Sequence, residues 1–155
     1  MKWVKRIVIA LVVIWALLQV YSLVGINRSN PAVVQEVKWD SPATRDLAKR
    51  ACFDCHSNET TWPWYSYVAP VSVRVANHVD EGRGRLNFSD WTQPNEDFDE
   101  IQKVLDRGEM PLWDYLLMHA DAKLSAEETQ TLLAGLKATY ANDPPVKRER
   151  RNFGG

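Results

Sequence analysis

Apolar residues fall along this chain in two different patterns. The first is continuous: Ile7 to Val24 carries no charge, and Gln19 is its one strongly polar residue. A run of that length is near the short end of a membrane-crossing helix, which needs about 20 residues. The second pattern is periodic. Ala43, Leu47 and Ala51 recur every four residues behind Asp40, Ser41 and Pro42, which predicts a capped helix leading straight into Cys52. A further helix is expected over about 71–81, ending at Gly82. Another is expected over about 95–107, where Phe98, Ile101 and Leu105 share a face and Gly108 supplies a stop. The last is expected over about 125–140: Ser125 and Glu128 have capping-box spacing, and Leu132, Leu133, Leu136 and Tyr140 form its apolar face. No strand pattern stands out. The fold class expected is all-α, a small helical domain with long loops, preceded by a transmembrane helix.

The chain then divides into an N-terminal anchor over 1–24, a linker over 25–40 that lifts the domain off the bilayer, a domain over 41–141, and a basic, disordered tail over 142–155. Asn142-Asp143-Pro144-Pro145 stops the last helix, and Lys147, Arg148, Arg150 and Arg151 make the tail basic. The first 24 residues admit a second reading, a cleaved signal peptide. Their apolar run exceeds the usual 7–15 residues of such a signal, and no A-x-A-like site lies near Val24-Gly25-Ile26. Lys2, Lys5 and Arg6 precede the run, and a positive flank stays in the cytoplasm. Both readings export the remainder, which places the domain on the periplasmic side of a bacterial inner membrane.

Charge narrows the partners. The formal net charge is −1, which argues against nucleic acid held by bulk electrostatics. Within it, the domain is acidic and the two ends are basic. Acidic residues dominate from Asp90 to Glu128, a stretch suited to a solvated surface or to steering a basic redox partner.

The two cysteines of the chain lie in one short segment, Cys52-Phe53-Asp54-Cys55-His56, so no structural disulfide elsewhere is available. This is C-x-x-C-H, the arrangement of c-type haem attachment. At a helix end, cysteines three apart face one side and each reaches one vinyl group, while the adjacent imidazole comes under the iron. A dithiol redox motif would need a βαβ setting, and a zinc site would need two more ligands. A thin core of short helices also calls for a large apolar cofactor to supply buried surface. One haem c per chain is therefore expected, with Cys52 and Cys55 as attachment points and His56 as proximal ligand.

For the opposite side of the iron, Met110 is the first choice and His119 the alternative, with His78, Met118 or an open site behind them. Met110-Pro111 follows the stop at Gly108 and precedes the capped helix at Ser125. In that order of parts the chain resembles class I cytochromes c, in which a Met-Pro loop ligates the iron ahead of a C-terminal helix. A closer resemblance covers about residues 35–140. The segments C-F-D-C-H-S-N-E-T-T-W-P-W-Y-S, H-V-D-E-G-R-G-R-L-N-F-S-D-W and G-E-M-P-L-W-D-Y-L-L-M-H look like the bacterial haem-binding-domain proteins with one C-x-x-C-H. The sequence departs from many relatives at Val73, where they carry tryptophan; that position bears on packing and touches no ligand. The resemblance strengthens the haem expectation and says little about partners.

Trp62, Trp64 and Tyr65 are expected to pack on the porphyrin, with Tyr67 beside them. Arg74 is a candidate for the propionates, as are Arg83 and Arg85. Each has a plainer reading as a loop plug or a solvated charge. Gly82 and Gly84 lack the strand and the Lys-Ser/Thr of a phosphate loop, so nucleotide binding is rejected. The function expected is one-electron transfer at the membrane with periplasmic or membrane redox proteins as partners. A carrier is preferred to a catalyst, and the alternatives are a haem sensor, an accessory subunit, or a peroxidase-like enzyme with an open distal side.

Overall fold

A computed structural model describes residues 1–148, and among these the chain forms seven α-helices and one short parallel strand pair. α1 (Lys2–Val24) is long, apolar and almost wholly exposed along its length. α2 (Pro42–Ala51) begins where expected: the Ser41 hydroxyl accepts a bond from the Thr44 amide at 3.2 Å, with Pro42 in the first turn. It runs through Cys52 into the one-turn α3 (Phe53–His56). α4 spans Val71–Arg85, α5 Phe98–Asp106, α6 Trp113–Leu116 and α7 Ala126–Asn142. α7 opens with the full capping box. Glu128 N–H donates to Ser125 Oγ at 3.1 Å, and Ser125 N–H donates to Glu128 Oε2 at 2.8 Å. The stop after α5 is Gly108, whose φ of 65° is the left-handed value that favours glycine.

The core gathers around Leu132, Leu133 and Leu136 of α7, Ile101 and Leu105 of α5, and an aromatic stack of Trp39, Phe53, Phe88 and Trp91. Phe53 is the first residue inside the C-x-x-C-H segment, so the motif is itself rooted in the core. On α2 the buried stripe is Thr44, Ala48 and Ala51, and Ala43 is exposed. Of the expected stripe, Ala51 is buried and Leu47 packs partly buried against the core, while the buried face extends to Thr44 and Ala48 in place of Ala43. The cause is α7, which crosses α2 at Gly135. A Cβ there would collide with the side chain of Thr44, so the two helices approach through a glycine and a hydroxyl-bearing residue.

Two further expectations change. Residues 25–40 form a strap laid along the domain. Val34 and Gln35 donate to the Ser89 carbonyl, Val37 donates to that of Phe88, and the Val37 side chain is buried. A hydrogen-bonded strap cannot act as a spacer. The segment after α7 is likewise held at its start: β2 (Val146–Lys147) pairs in parallel with β1 (Pro94–Asn95), and the Arg148 guanidinium donates to the Gly84 carbonyl at 2.7 Å. The rest of the expected basic tail, with Arg150 and Arg151, lies outside the described residues.

Candidate functional site

The C-x-x-C-H segment is pinned from both sides. Upstream, α2 delivers Cys52 as its C-terminal cap, with the Cys52 amide bonded to the Ala48 carbonyl at 2.8 Å. Downstream, the Phe88 amide donates to the His56 carbonyl at 2.8 Å, and the Ser57 hydroxyl donates to the Phe53 carbonyl at 2.8 Å. Above it lies α4. The sequence suggested that Gly82 ends this helix, but the helix continues to Arg85. Gly82 serves a different purpose. A Cβ there would fall well inside van der Waals contact of the Cys55 carbonyl oxygen, so only glycine lets α4 lie this close to the motif.

That close approach sets the imidazole. Nδ1 of His56 lies 3.1 Å from the Gly82 carbonyl and 3.1 Å from the Leu86 carbonyl. Both neighbours only accept, so Nδ1 carries the proton and donates. Nε2 is left deprotonated, as metal ligation requires, and a carbonyl behind a ligating histidine is the usual orienting partner. Burial holds the pKa of His56 below its ordinary value, against the opposing effect of these two carbonyls.

The motif opens on a cavity of about 670 Å³, inside the range of about 300–1,000 Å³ typical of ligand clefts. Cys52, Cys55 and His56 form one part of its lining. Leu86, Phe88, Ile101, Val104, Leu105, Leu112 and Leu136 supply apolar walls, and Met110 and Pro111 lie on the same lining. Neither cysteine is in a disulfide. Burial pushes the Cys52 thiol up to about 12, with the neighbouring Cys55 adding to it. Burial, and then the Asp54 carboxylate, push the Cys55 thiol up to about 12 as well. Reactive redox dithiols have lowered values, so this pair is unlike one. Among the described residues no cluster of three or more His, Cys, Asp or Glu side chains could hold a metal ion. The donor set therefore suits a flat, largely apolar group that brings its own equatorial ligands, and haem fits it: two thiols, an oriented imidazole and a thioether around greasy walls.

The other residues singled out in the sequence go elsewhere. His119 is not on the lining: its ring packs on Tyr115 with centroids 4.1 Å apart, and its Nε2 lies 3.3 Å from the Tyr65 hydroxyl. Met118 is exposed. Trp62, Trp64 and Tyr65 do not reach the cavity either. The chain turns away after Thr61 into a 3₁₀ turn over Trp64–Tyr67 that packs against α1 and α4. Trp62 donates instead to Asn30 at 3.2 Å. Arg74 is absent from the lining and pairs with Asp114 of α6. Arg83 donates to the Ser57 carbonyl at 2.8 Å and to Thr60, bracing the segment after His56.

Several cavity residues were not singled out in the sequence. Lys103 and Arg107 join Arg85 as cations on the lining, and Glu96, Glu100 and Glu109 from the acidic stretch share it. Tyr115 lines the cavity and donates to Asp54 Oδ2 at 2.7 Å, tying α6 to the middle of the motif. His78 lines it too. A hint existed for Lys103 and Arg107, since they are two of the three basic residues in the acidic stretch from Asp90 to Glu128. Gly82 gave a misleading hint, because a glycine near a helix end reads as a stop.

A family model described as haem-binding domain matches residues 13–138. Comparison with the curated proteins and with the solved structures gives no match.

Proposed function

Since this chain belongs to the haem-binding-domain family, we propose that it is a membrane-anchored, periplasm-facing c-type haem protein that passes single electrons. The observation that carries this reading is the convergence of Cys52, Cys55, His56 and Met110 on one apolar cavity, with His56 Nδ1 already tied to two backbone carbonyls. Haem, once held there, supplies a one-electron iron couple. Cys52 and Cys55 would hold it through thioethers, each S–H adding across one vinyl group, and His56 and Met110 would be the residues to hold its iron. A thioether ligand favours reduced iron and raises the potential relative to a second imidazole. Arg85, Lys103 and Arg107 replace Arg74 as the cations available to the propionates, and the acidic residues beside them suit a basic redox partner.

Retention of α1 is supported by its contacts. Its few polar side chains bond to the domain: Trp15 Nε1 to the Ala69 carbonyl at 3.2 Å, Gln19 Nε2 to the Tyr67 carbonyl at 2.7 Å, and Ser22 Oγ to that same Tyr67 carbonyl at 3.2 Å. Cleavage would strip these partners from the mature protein. The basic flank of Lys2, Lys5 and Arg6 favours the cytoplasm, which puts the domain outside.

The test is the visible spectrum and intact mass of the full-length protein purified from membranes. One haem retained on the polypeptide through acid–organic extraction, with a six-coordinate spectrum, is the expected result. Haem that extracts freely would overturn covalent attachment. Ready binding of carbon monoxide and turnover of peroxide would overturn the carrier reading in favour of an enzyme with an open side, for which His78 is a histidine on the lining able to serve as acid–base group.

A further inference from the structure

The polar side chains of α1 make a demand on where the domain sits. Counting back from Val24 at about 1.5 Å per residue, Gln19 lies about 7.5 Å and Trp15 about 13.5 Å from the exported end of the run, against a hydrocarbon thickness of about 30 Å, or about 15 Å per leaflet. Yet both are bonded to the domain. Trp15 donates to the Ala69 carbonyl at 3.2 Å, Gln19 donates to the Tyr67 carbonyl at 2.7 Å, and the Ala69 amide donates back to Gln19 Oε1 at 3.1 Å. If α1 crosses the bilayer, the backbone at Tyr67 and Ala69 lies below the lipid–water boundary with it.

Backbone outside a helix is tolerated at that depth only when its polar groups are satisfied by protein. Here they are. The Tyr67 carbonyl takes bonds from Gln19 and Ser22, Ala69 is bonded through both N–H and C=O, and the Ser66 carbonyl takes the Arg28 guanidinium, Nε at 2.8 Å. Gln19, the one strongly polar residue of the apolar run, is thereby explained.

The surface agrees. Residues 60–73 contain no charge. Trp64 is 71% exposed, and Tyr67, Val68 and Val71 of the same segment are exposed as well. A second apolar group, Trp113, Leu117 and Met118, is brought beside it by the Arg74–Asp114 pair and by the 3.3 Å contact of Tyr65 with His119. Outside α1 and Met1 before it, the other exposed large apolar side chains among the described residues are Val33, Val34 and Val146. A concentration of that kind on one end, continuous with a candidate membrane helix, marks a lipid-facing surface.

We propose that residues 64–71, with Trp113, Leu117 and Met118, are immersed in the outer leaflet against α1, so that the domain is seated in the membrane face. The proposal rests on the reading of α1 as a retained membrane span, and it goes further, since an anchor alone would leave these side chains in water.

The test uses the full-length, haem-loaded chain in phosphatidylcholine–phosphatidylglycerol vesicles. Single substitutions Val68→Cys, Leu117→Cys, Ile9→Cys in α1 and Gln130→Cys on the exposed face of α7 are made, each checked for an unchanged haem spectrum, with the unsubstituted chain as background. Reaction with a charged, membrane-impermeant maleimide is timed. Since the thiolate is the reacting form and is suppressed in apolar surroundings, positions 68, 117 and 9 should label at least about tenfold more slowly than position 130, and detergent should restore positions 68 and 117. Protection should persist as protein is diluted into more lipid. Position 9 protected with 68 and 117 as reactive as 130 would overturn this proposal and leave the anchor standing. Position 9 reactive as well would overturn both. Protection of 68 and 117 that disappears on dilution into lipid would assign the surface to a second copy of the chain and overturn the proposal.

Discussion

Nδ1 of His56 lies 3.1 Å from the backbone carbonyl of Gly82, and Gly82 is also where α4 presses on the carbonyl of Cys55. One residue thus sets the spacing between α4 and the motif and supplies an acceptor that orients the ligand. Gly82→Ala should therefore act on stability and on the iron together. Overpacking at such a contact costs about 1–3 kcal/mol. Thermal unfolding of the loaded protein should show the loss, and the haem spectrum should broaden or shift as His56 is displaced. An unchanged spectrum at reduced stability would confine Gly82 to packing.

Ligation on the opposite side separates three residues. Met110→Ala should abolish the charge-transfer band of methionine-ligated ferric haem, lower the reduction potential, and open the iron to carbon monoxide and cyanide. His119→Ala should leave the spectrum unchanged, since His119 is held by Tyr65 and Tyr115 away from the cavity lining. If His78→Ala opens the iron and Met110→Ala does not, ligation is by two histidines.

Gln19→Leu keeps α1 apolar but leaves the Ala69 amide without its acceptor. A buried donor left without a partner costs about 1–3 kcal/mol. Amide hydrogen exchange at Ala69 in micelles should accelerate, with little change at α7. Ser22 still serves the Tyr67 carbonyl, so exchange over Ser72–Val79 should change less than at Ala69.

At the crossing of α2 and α7, Gly135→Ala should destabilise the domain by about 1–3 kcal/mol through collision with Thr44. Thr44→Ala removes the nearest colliding atoms, Oγ1 and Cγ2. The double variant should recover part of the loss, a non-additivity readable from chemical denaturation of both singles and the pair. Additive losses would mean that the two residues do not meet.

Local chemistry was legible in the sequence, because each such feature needs only neighbours in the chain. The uncharged run of α1, the cap at Ser41, the box at Ser125 and Glu128, the stop at Gly108 and the C-x-x-C-H segment at a helix end all depend on residues a few positions apart, and each stands where its spacing put it. The all-helical class followed from the same periodicities, and the matched haem-binding domain agrees with the expectation of a haem protein.

What only the tertiary structure decided is which distant segments share a space. Trp62, Trp64, Tyr65 and Arg74 are close to the motif in sequence and apart from its cavity, while Arg107 and Met110 are distant in sequence and on its lining. Gly82 reads as a helix stop by local rules and acts as a point of contact, because its meaning depends on the Cys55 carbonyl across from it. The strap at 25–40 carries no periodicity of its own, yet Phe88 and Ser89 offer it carbonyls to bond. Gln19 likewise gains its meaning from backbone 48 and 50 residues away, at Tyr67 and Ala69. Hydrogen bonds and contacts of this range are set by how the helices pack around the cavity, and the order of residues along the chain does not encode them locally.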